Sequence, residues 1–215
     1  MHGENTQILP MSNKFKITPS ATVGELHPLF KALQWVAQAR STDESRLIIN
    51  HIQVKRDDES GSYTIAATDG KRLHVADFDP GLFDSDFDAL ESGLYEVIAK
   101  GSKFLVLAAN DEAGDFPNWL AITGDFQGFY ESHVNPQTVS HVCIKTGVIL
   151  APDYLDEAIG FGTAFKKGET VSLRFGPITK GKQAGPMKIS HEIGKAYIMP
   201  LKEPETSGSV DDGKE

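Results

Sequence analysis

The sequence predicts an α+β fold built from repeated strand-helix-three-strand units with antiparallel sheets. Three observations predict it. Leu26 to Arg40 carries apolar residues at helical spacing, Asp69-Gly70 stands between two strand-like runs, and the order strand, helix, strands recurs along the chain.

A short strand is expected at Lys14 to Ile17. Leu26, Leu29, Phe30, Leu33, Val36 and Ala37 then share one helical face, with Lys31, Gln34 and Gln38 off it and Pro28 in the first turn. Leu47 to Lys55, Ser62 to Thr68 and Lys71 to Phe78 read as strands. The Asp-Gly pair between the last two is the pattern of a tight hairpin with positive φ at both central residues. An acidic loop with Gly and Pro, Asp79 to Gly93, separates this unit from a second one. There Leu94 to Ala99 is a strand and Ser102 to Asn110 a short helix capped by Ser102. Trp119 to Thr123 and Gly128 to Val134 are strand-like. A third unit follows: Val148 to Leu150, a helix over Pro152 to Gly160 with Tyr154, Leu155, Ala158 and Ile159 inward, and strands at Thr170 to Phe175, Gly185 to Ser190 and Lys195 to Met199. The units share a pattern of elements rather than detectable sequence identity.

Composition excludes several classes of function. With 215 residues and 40% hydrophobic content the chain has material for one good core or two modest ones. No apolar run is long enough for a bilayer and no signal peptide is evident, so a cytoplasmic protein without membrane contact is expected. Cys143 is the only cysteine, which rules out an internal disulfide and a cysteine zinc cluster. The net charge of −9 argues against a uniformly basic nucleic-acid binder. The charge is nonetheless segregated. Ten acids lie between Asp57 and Glu91 against Lys71 and Arg72, whereas Gly160 to Ser190 holds Lys166, Lys167, Arg174, Lys180, Lys182 and Lys188 against Glu169. Two solvated faces and a functional polarity both fit this pattern.

Motifs for catalysis or cofactors fail in context. No histidine pair has the His-Glu-x-x-His spacing of a zinc helix. Gly160 to Phe165 lacks the third glycine of a dinucleotide loop and follows a helix. Gly181-Lys182-Gln183 lacks the hydroxyl residue of a P-loop. Asp84, Asp86 and Asp88 alternate without the glycine and late glutamate of a calcium loop. Nothing fixes His133 or His141 beside an acid. No metal, no cofactor and no enzymatic activity are expected.

Two segments carry a family resemblance. Ala67-Thr68-Asp69-Gly70-Lys71-Arg72-Leu73 resembles the ATDGHRLA segment in the middle domain of the bacterial DNA sliding clamp, the beta subunit of DNA polymerase III, with Lys71 in place of His and His74 in place of Ala. Ala196-Tyr197-Ile198-Met199-Pro200-Leu201 resembles that family's C-terminal AYVVMPMRL, with one residue fewer before Met-Pro. Ser92 to Ala108 and Val148 to Phe161 are similar to family strand-helix segments in the same order. A family subunit carries three domains of two units each, so this chain reads as a shortened, divergent member. Expected boundaries are a disordered tail over 1–13, a clamp-like domain over 14–135, a clamp-like C-terminal unit over 136–202 and a disordered acidic tail over 203–215. Phe116-Pro117-Asn118-Trp119 resembles the FPDY that ends the middle domain. Trp119 to Thr123 also reads as an ordinary strand, and both readings stand.

The resemblance implies a processivity factor in DNA replication or repair that encircles duplex DNA as a homo-oligomer and docks linear peptides of polymerases or repair proteins. The implied peptide cleft is Ile49, Thr68, Leu73, Ile198 and Met199, joined by Pro117 and Ile122 if the Phe-Pro-Asn-Trp match holds. Each of these residue types equally suits a plain core. The basic side chains expected to face DNA are Lys31, Arg40 and Lys103. Asp153, Asp156 and Glu157 on the third helix would repel phosphates. They leave open an alternative of another class, a clamp-fold interaction module of the phage or mobile-element kind that does not encircle DNA.

Overall fold

The computed structural model describes residues 20–79, 81, 90–111, 113–123, 130–134, 150–160, 171–175, 186–190 and 194–201. In chain order they form β1 (Ser20–Gly24), α1 (Phe30–Val36), β2 (Ile52–Arg56), β3 (Tyr63–Thr68), β4 (Arg72–Phe78), β5 (Gly93–Lys100), β6 (Phe104–Ala109), α2 (Leu120–Thr123), β7 (Tyr130–Val134), α3 (Pro152–Gly160), β8 (Val171–Phe175), β9 (Met187–Ser190) and β10 (Gly194–Ile198).

Among the described residues the strands make one ten-stranded sheet in the order β1-β6-β5-β2-β3-β4-β10-β9-β8-β7. Every neighbouring pair is antiparallel. The fold is α+β. Two β-α-β-β-β units are built into this sheet, β1-α1-β2-β3-β4 and β7-α3-β8-β9-β10, and they meet where β4 pairs with β10. The hairpin β5–β6 lies between β2 and β1. The expectation of three like units is therefore corrected: among the described residues the middle one is a hairpin followed by a single helical turn.

Ser102 to Asn110, expected as a helix, is mostly strand β6. The run Phe104-Leu105-Val106-Leu107 has the apolar content of either element. The parity of burial decides, with Leu105 and Leu107 buried while Phe104 is 43% exposed. Ile98, left unpaired by a register shift between Val97 and Ala99, is turned outward as a bulge residue. Trp119 to Thr123, expected as a strand, supplies the one-turn helix α2, its Thr123 N–H donating to Trp119 O at 3.0 Å. The strand expected from Leu47 starts at Ile52, because residues 47–50 fold into turns in which Ile49 N donates to Arg46 O. Leu150 lies in no strand, and the expected strand at 14–17, with positions 148–149, falls outside the described residues.

Helix α1 begins at Phe30 rather than Leu26. His27 Nδ1 accepts from the Leu29 N–H at 3.1 Å and Phe30 N donates to His27 O, a turn that leaves Leu26 in solvent. From there Phe30, Leu33 and Val36 are buried against the sheet, each burial stabilising by roughly 1.5–3 kcal/mol. Helix α3 occupies the range its pattern predicts, with Pro152 in its first turn, where a missing N–H costs nothing. Leu155 and Ala158 bury into the same core.

Strand alternation divides the apolar residues between the two sheet faces. Ile65, Ala67, Ala76, Phe78, Ala196 and Ile198 join the helix-side core. Ala66, Leu73, Val75 and Tyr197 face the other way and are covered by Phe116 and Trp119. On the helix side Trp35 stacks on His74 with ring centroids 4.4 Å apart. This is possible because position 194 is glycine: a Cβ there would stand 2.6 Å from the Trp35 ring.

Candidate functional site

The Asp69-Gly70 connection is the first component of the site. Of these two residues only Gly70 has positive φ, 88°, so the expected pair of positive angles is corrected. Register pairs Thr68 with Leu73, leaving a four-residue connection closed by side chains. Asp69 Oδ1 accepts from the N–H groups of Lys71 and Arg72 at 2.8 and 3.0 Å, and Thr68 Oγ1 accepts from Gly70 N at 3.0 Å and donates to Arg72 O at 2.6 Å. Short acid and hydroxyl side chains are the residue types that close such turns. Arg46 adds an outer tie by donating to Asp69 O at 2.9 Å.

Arg72 then anchors this connection to the helices. Its guanidinium forms an ion pair with Glu157 on α3, another with Asp69 at 3.1 Å, and donates to Gln38 O at 2.7 Å. It also lies over the Tyr154 ring, 4.3 Å from the centroid. The Arg of the resembled segment thus ties the connection to both helical units.

The second component is the end of β10. Tyr197 pairs with Leu73 across the central seam, and Met199 N donates to Lys71 O at 2.8 Å beyond the last paired residue. Pro200, which has no N–H, follows. Phe116 to Thr123 crosses the same sheet face as the third component. Trp119 Nε1 donates to Gln53 Oε1 on β2 at 3.2 Å, and Thr123 hydrogen-bonds the Tyr197 hydroxyl. Burial pushes the Tyr197 phenol above its ordinary pKa, an effect the Thr123 hydrogen bond opposes.

Between these components runs an open groove of about 230 Å³, lined by Arg46, Ile49, Thr68, Gly70, Lys71, Arg72, Leu73, Pro117, Trp119, Thr123, Pro186, Tyr197 and Met199. Five of the expected cleft residues meet here: Ile49, Thr68, Leu73, Pro117 and Met199. Ile198 does not. It is fully buried in the helix-side core because strand parity sends Tyr197, and not its neighbour, to the groove face. Sequence reasoning missed Tyr197, Trp119 and Arg46. Tyr197 carried a signal, since it lies one position from Ile198 in the resembled segment. The side chain of Ile122 lies outside the described residues.

The expected DNA-facing residues take separate places. Lys31 is exposed on α1 and Arg40 half-exposed just after it. Lys103 lies in the β5–β6 turn, 3.5 Å from Glu25, and that turn rests on α1 through Gln34 Nε2 donating to Gly101 O at 3.2 Å. Asp153 and Asp156 are exposed on α3. No group of three or more potential metal ligands occurs among the described residues. The acidic alternation at 84–88, His141, Cys143 and the Gly181 segment lie outside them. No described helix is long and apolar enough to cross a membrane.

A ten-stranded antiparallel sheet with two helical units on one face, and a hairpin and C-terminal strand joined at its centre, matches solved structures. The fold is that of a bacterial sliding clamp. DNA polymerase III subunit beta from Borrelia burgdorferi aligns over 87% of this chain and 65% of its own, at 11% identity and a TM-score of 0.54. The C. crescentus beta sliding clamp covers 91% of this chain and 68% of its own (15%, 0.56), and the DNA polymerase sliding clamp of Bacillus subtilis 88% and 66% (13%, 0.56). The chain thus spans about two thirds of the length of the clamps it resembles. No family model and no curated protein matches the sequence. In clamp-fold terms, the groove lies on the sheet face opposite the helices.

Proposed function

We propose that this chain is a sliding-clamp-like processivity factor of DNA replication or repair, without reaction chemistry of its own. In this reading it docks linear peptides of polymerases or repair proteins and encircles duplex DNA as a homo-oligomer. One observation carries the proposal: on a clamp fold, Thr68 and Leu73 of the Asp-Gly connection and Tyr197 and Met199 of the last strand line one open apolar groove. A docking groove needs apolar walls that bury two or three anchor side chains, with few polar groups to desolvate. Met199, 44% exposed, is available to such an anchor.

A second reading, a clamp-fold interaction module that does not encircle DNA, follows if the exposed Asp153 and Asp156 on α3 keep duplex DNA from this face. Light scattering with circular and linear duplex DNA separates the two. The first reading expects a closed oligomer that stays on circular DNA and runs off linear ends. A monomer or open dimer indifferent to both DNAs overturns it and leaves the module.

A further inference from the structure

A second depression, of about 400 Å³, adjoins the docking groove on the same sheet face and shares Trp119, Thr123 and Tyr197 with it. Its walls are cross-strand neighbours. Lys55 on β2 stands opposite Thr64 on β3, and Thr64 opposite Asp77 on β4. Lys195 on β10 stands opposite Val75, and Lys188 on β9 opposite Tyr197. Directly paired residues share a face, so register puts three lysines around one concavity. Among the described residues Asp77 is the one acid lining it, and it is engaged: its Oδ2 lies 3.2 Å from Lys195 Nζ and its Oδ1 accepts from Thr64 Oγ1 at 3.2 Å. Lys188 Nζ sits 5.8 Å above the Tyr197 ring. The described part of the lining is therefore net positive on a chain whose overall charge is −9.

We infer that this depression is a subsite for acidic side chains of the same linear peptide whose apolar residues fill the groove. The inference rests on the docking reading above and specifies its ligand: apolar anchors joined to a short run of Asp or Glu. The two spaces adjoin at Trp119, Thr123 and Tyr197, close enough for a single extended strand of a partner to reach both. Three lysines are few for a nucleic-acid backbone, whose binding is built on many phosphate contacts. With Lys195 held by Asp77, they suit one or two carboxylates, where charge complementarity sets register and excludes wrong partners.

The test is selection from a phage-displayed library of random twelve-residue peptides on the full-length protein, followed by fluorescence anisotropy of the enriched peptides. Three variants accompany it: Met199→Glu in the groove, Lys55→Glu with Lys188→Glu in the depression, and Glu203→Gln with Glu205→Gln, Asp211→Asn and Asp212→Asn in the acidic C-terminal segment. All these lysines and acids are surface or terminal positions, and circular dichroism checks that each variant is folded. The expected result is enriched peptides pairing apolar residues with acids at a fixed offset. Their affinity should exceed that of versions with Asn and Gln for Asp and Glu by about three- to tenfold at low salt, as one or two exposed charge pairs give. The Lys55/Lys188 variant should lose that advantage while binding the neutral versions as before. Enriched apolar peptides with no acidic preference, dependent on Met199, overturn the inference and leave the docking reading intact. No enrichment at all overturns both. An acidic preference that appears only in the Glu203–Asp212 variant makes the chain's own acidic segment the occupant and overturns a partner's. Enrichment of acidic peptides without apolar residues separates the depression from the groove and overturns the shared ligand.

Discussion

His74 is the most informative single residue. It is fully buried, stacked on Trp35, and its Nδ1 lies 3.1 Å from the Trp35 carbonyl oxygen. A carbonyl only accepts, so Nδ1 carries the proton of a neutral ring. Burial lowers its pKa to about 4, below the roughly 6.5 of an unfolded histidine. Between those values the unfolded chain binds the extra proton, so stability is full above about pH 6.5 and is lost as pH falls through about 4. The cost amounts to about 3 kcal/mol. Urea unfolding at pH 7.5, 5.5 and 4.5 should show that decline, and His74→Gln should flatten much of it; equal slopes for both proteins would refute the assignment. The resembled segment has alanine at this place, and sequence alone gave no hint that the ring was buried, because its partner Trp35 lies on a different element.

At the scale of elements, Arg72 joins the β3–β4 connection to α3 and to the end of α1 through ion pairs with Asp69 and Glu157 and its bond to Gln38 O. Arg72→Ala should cost about 2 kcal/mol. That is less than breaking a wholly buried pair, because the Glu157 side chain is 37% exposed and water screens it. Hydrogen exchange should locate the loss in α3 and the 68–73 connection; protection lost evenly over the sheet would contradict this role. These elements also show what the sequence disclosed. The Asp-Gly connection, α1 and α3 were legible because glycine, a turn acid and a 3.6-residue stripe are local signals. Strand β6 was not, since its six residues suit helix or strand and the choice is made by pairing with β5 on one edge and with β1, more than seventy residues earlier, on the other. The groove was legible as segments but not as side chains. Ala196-Tyr197-Ile198-Met199 has no polar residue to fix its parity, which register with β4 decides.

On the scale of the molecule, charge and topology bear on function together. The helical face presents Lys31 and Arg40 against the exposed Asp153 and Asp156. If duplex DNA passes this face, Asp153→Asn with Asp156→Asn should raise retention on circular DNA about two- to fivefold at low salt, with the gain fading as salt screens it. Unchanged retention would mean that α3 does not face the duplex. The β4–β10 seam has a further consequence, in time. β10 is translated more than a hundred residues after β4, a delay of about 5 to 20 s at ordinary elongation rates. Throughout that interval the nascent chain carries β4 as an open edge with its backbone donors and acceptors unpaired, the state most exposed to wrong pairing. Strand β10 therefore both seals that edge and supplies Tyr197 to the groove wall, so the groove is complete only once the sheet is closed across this seam.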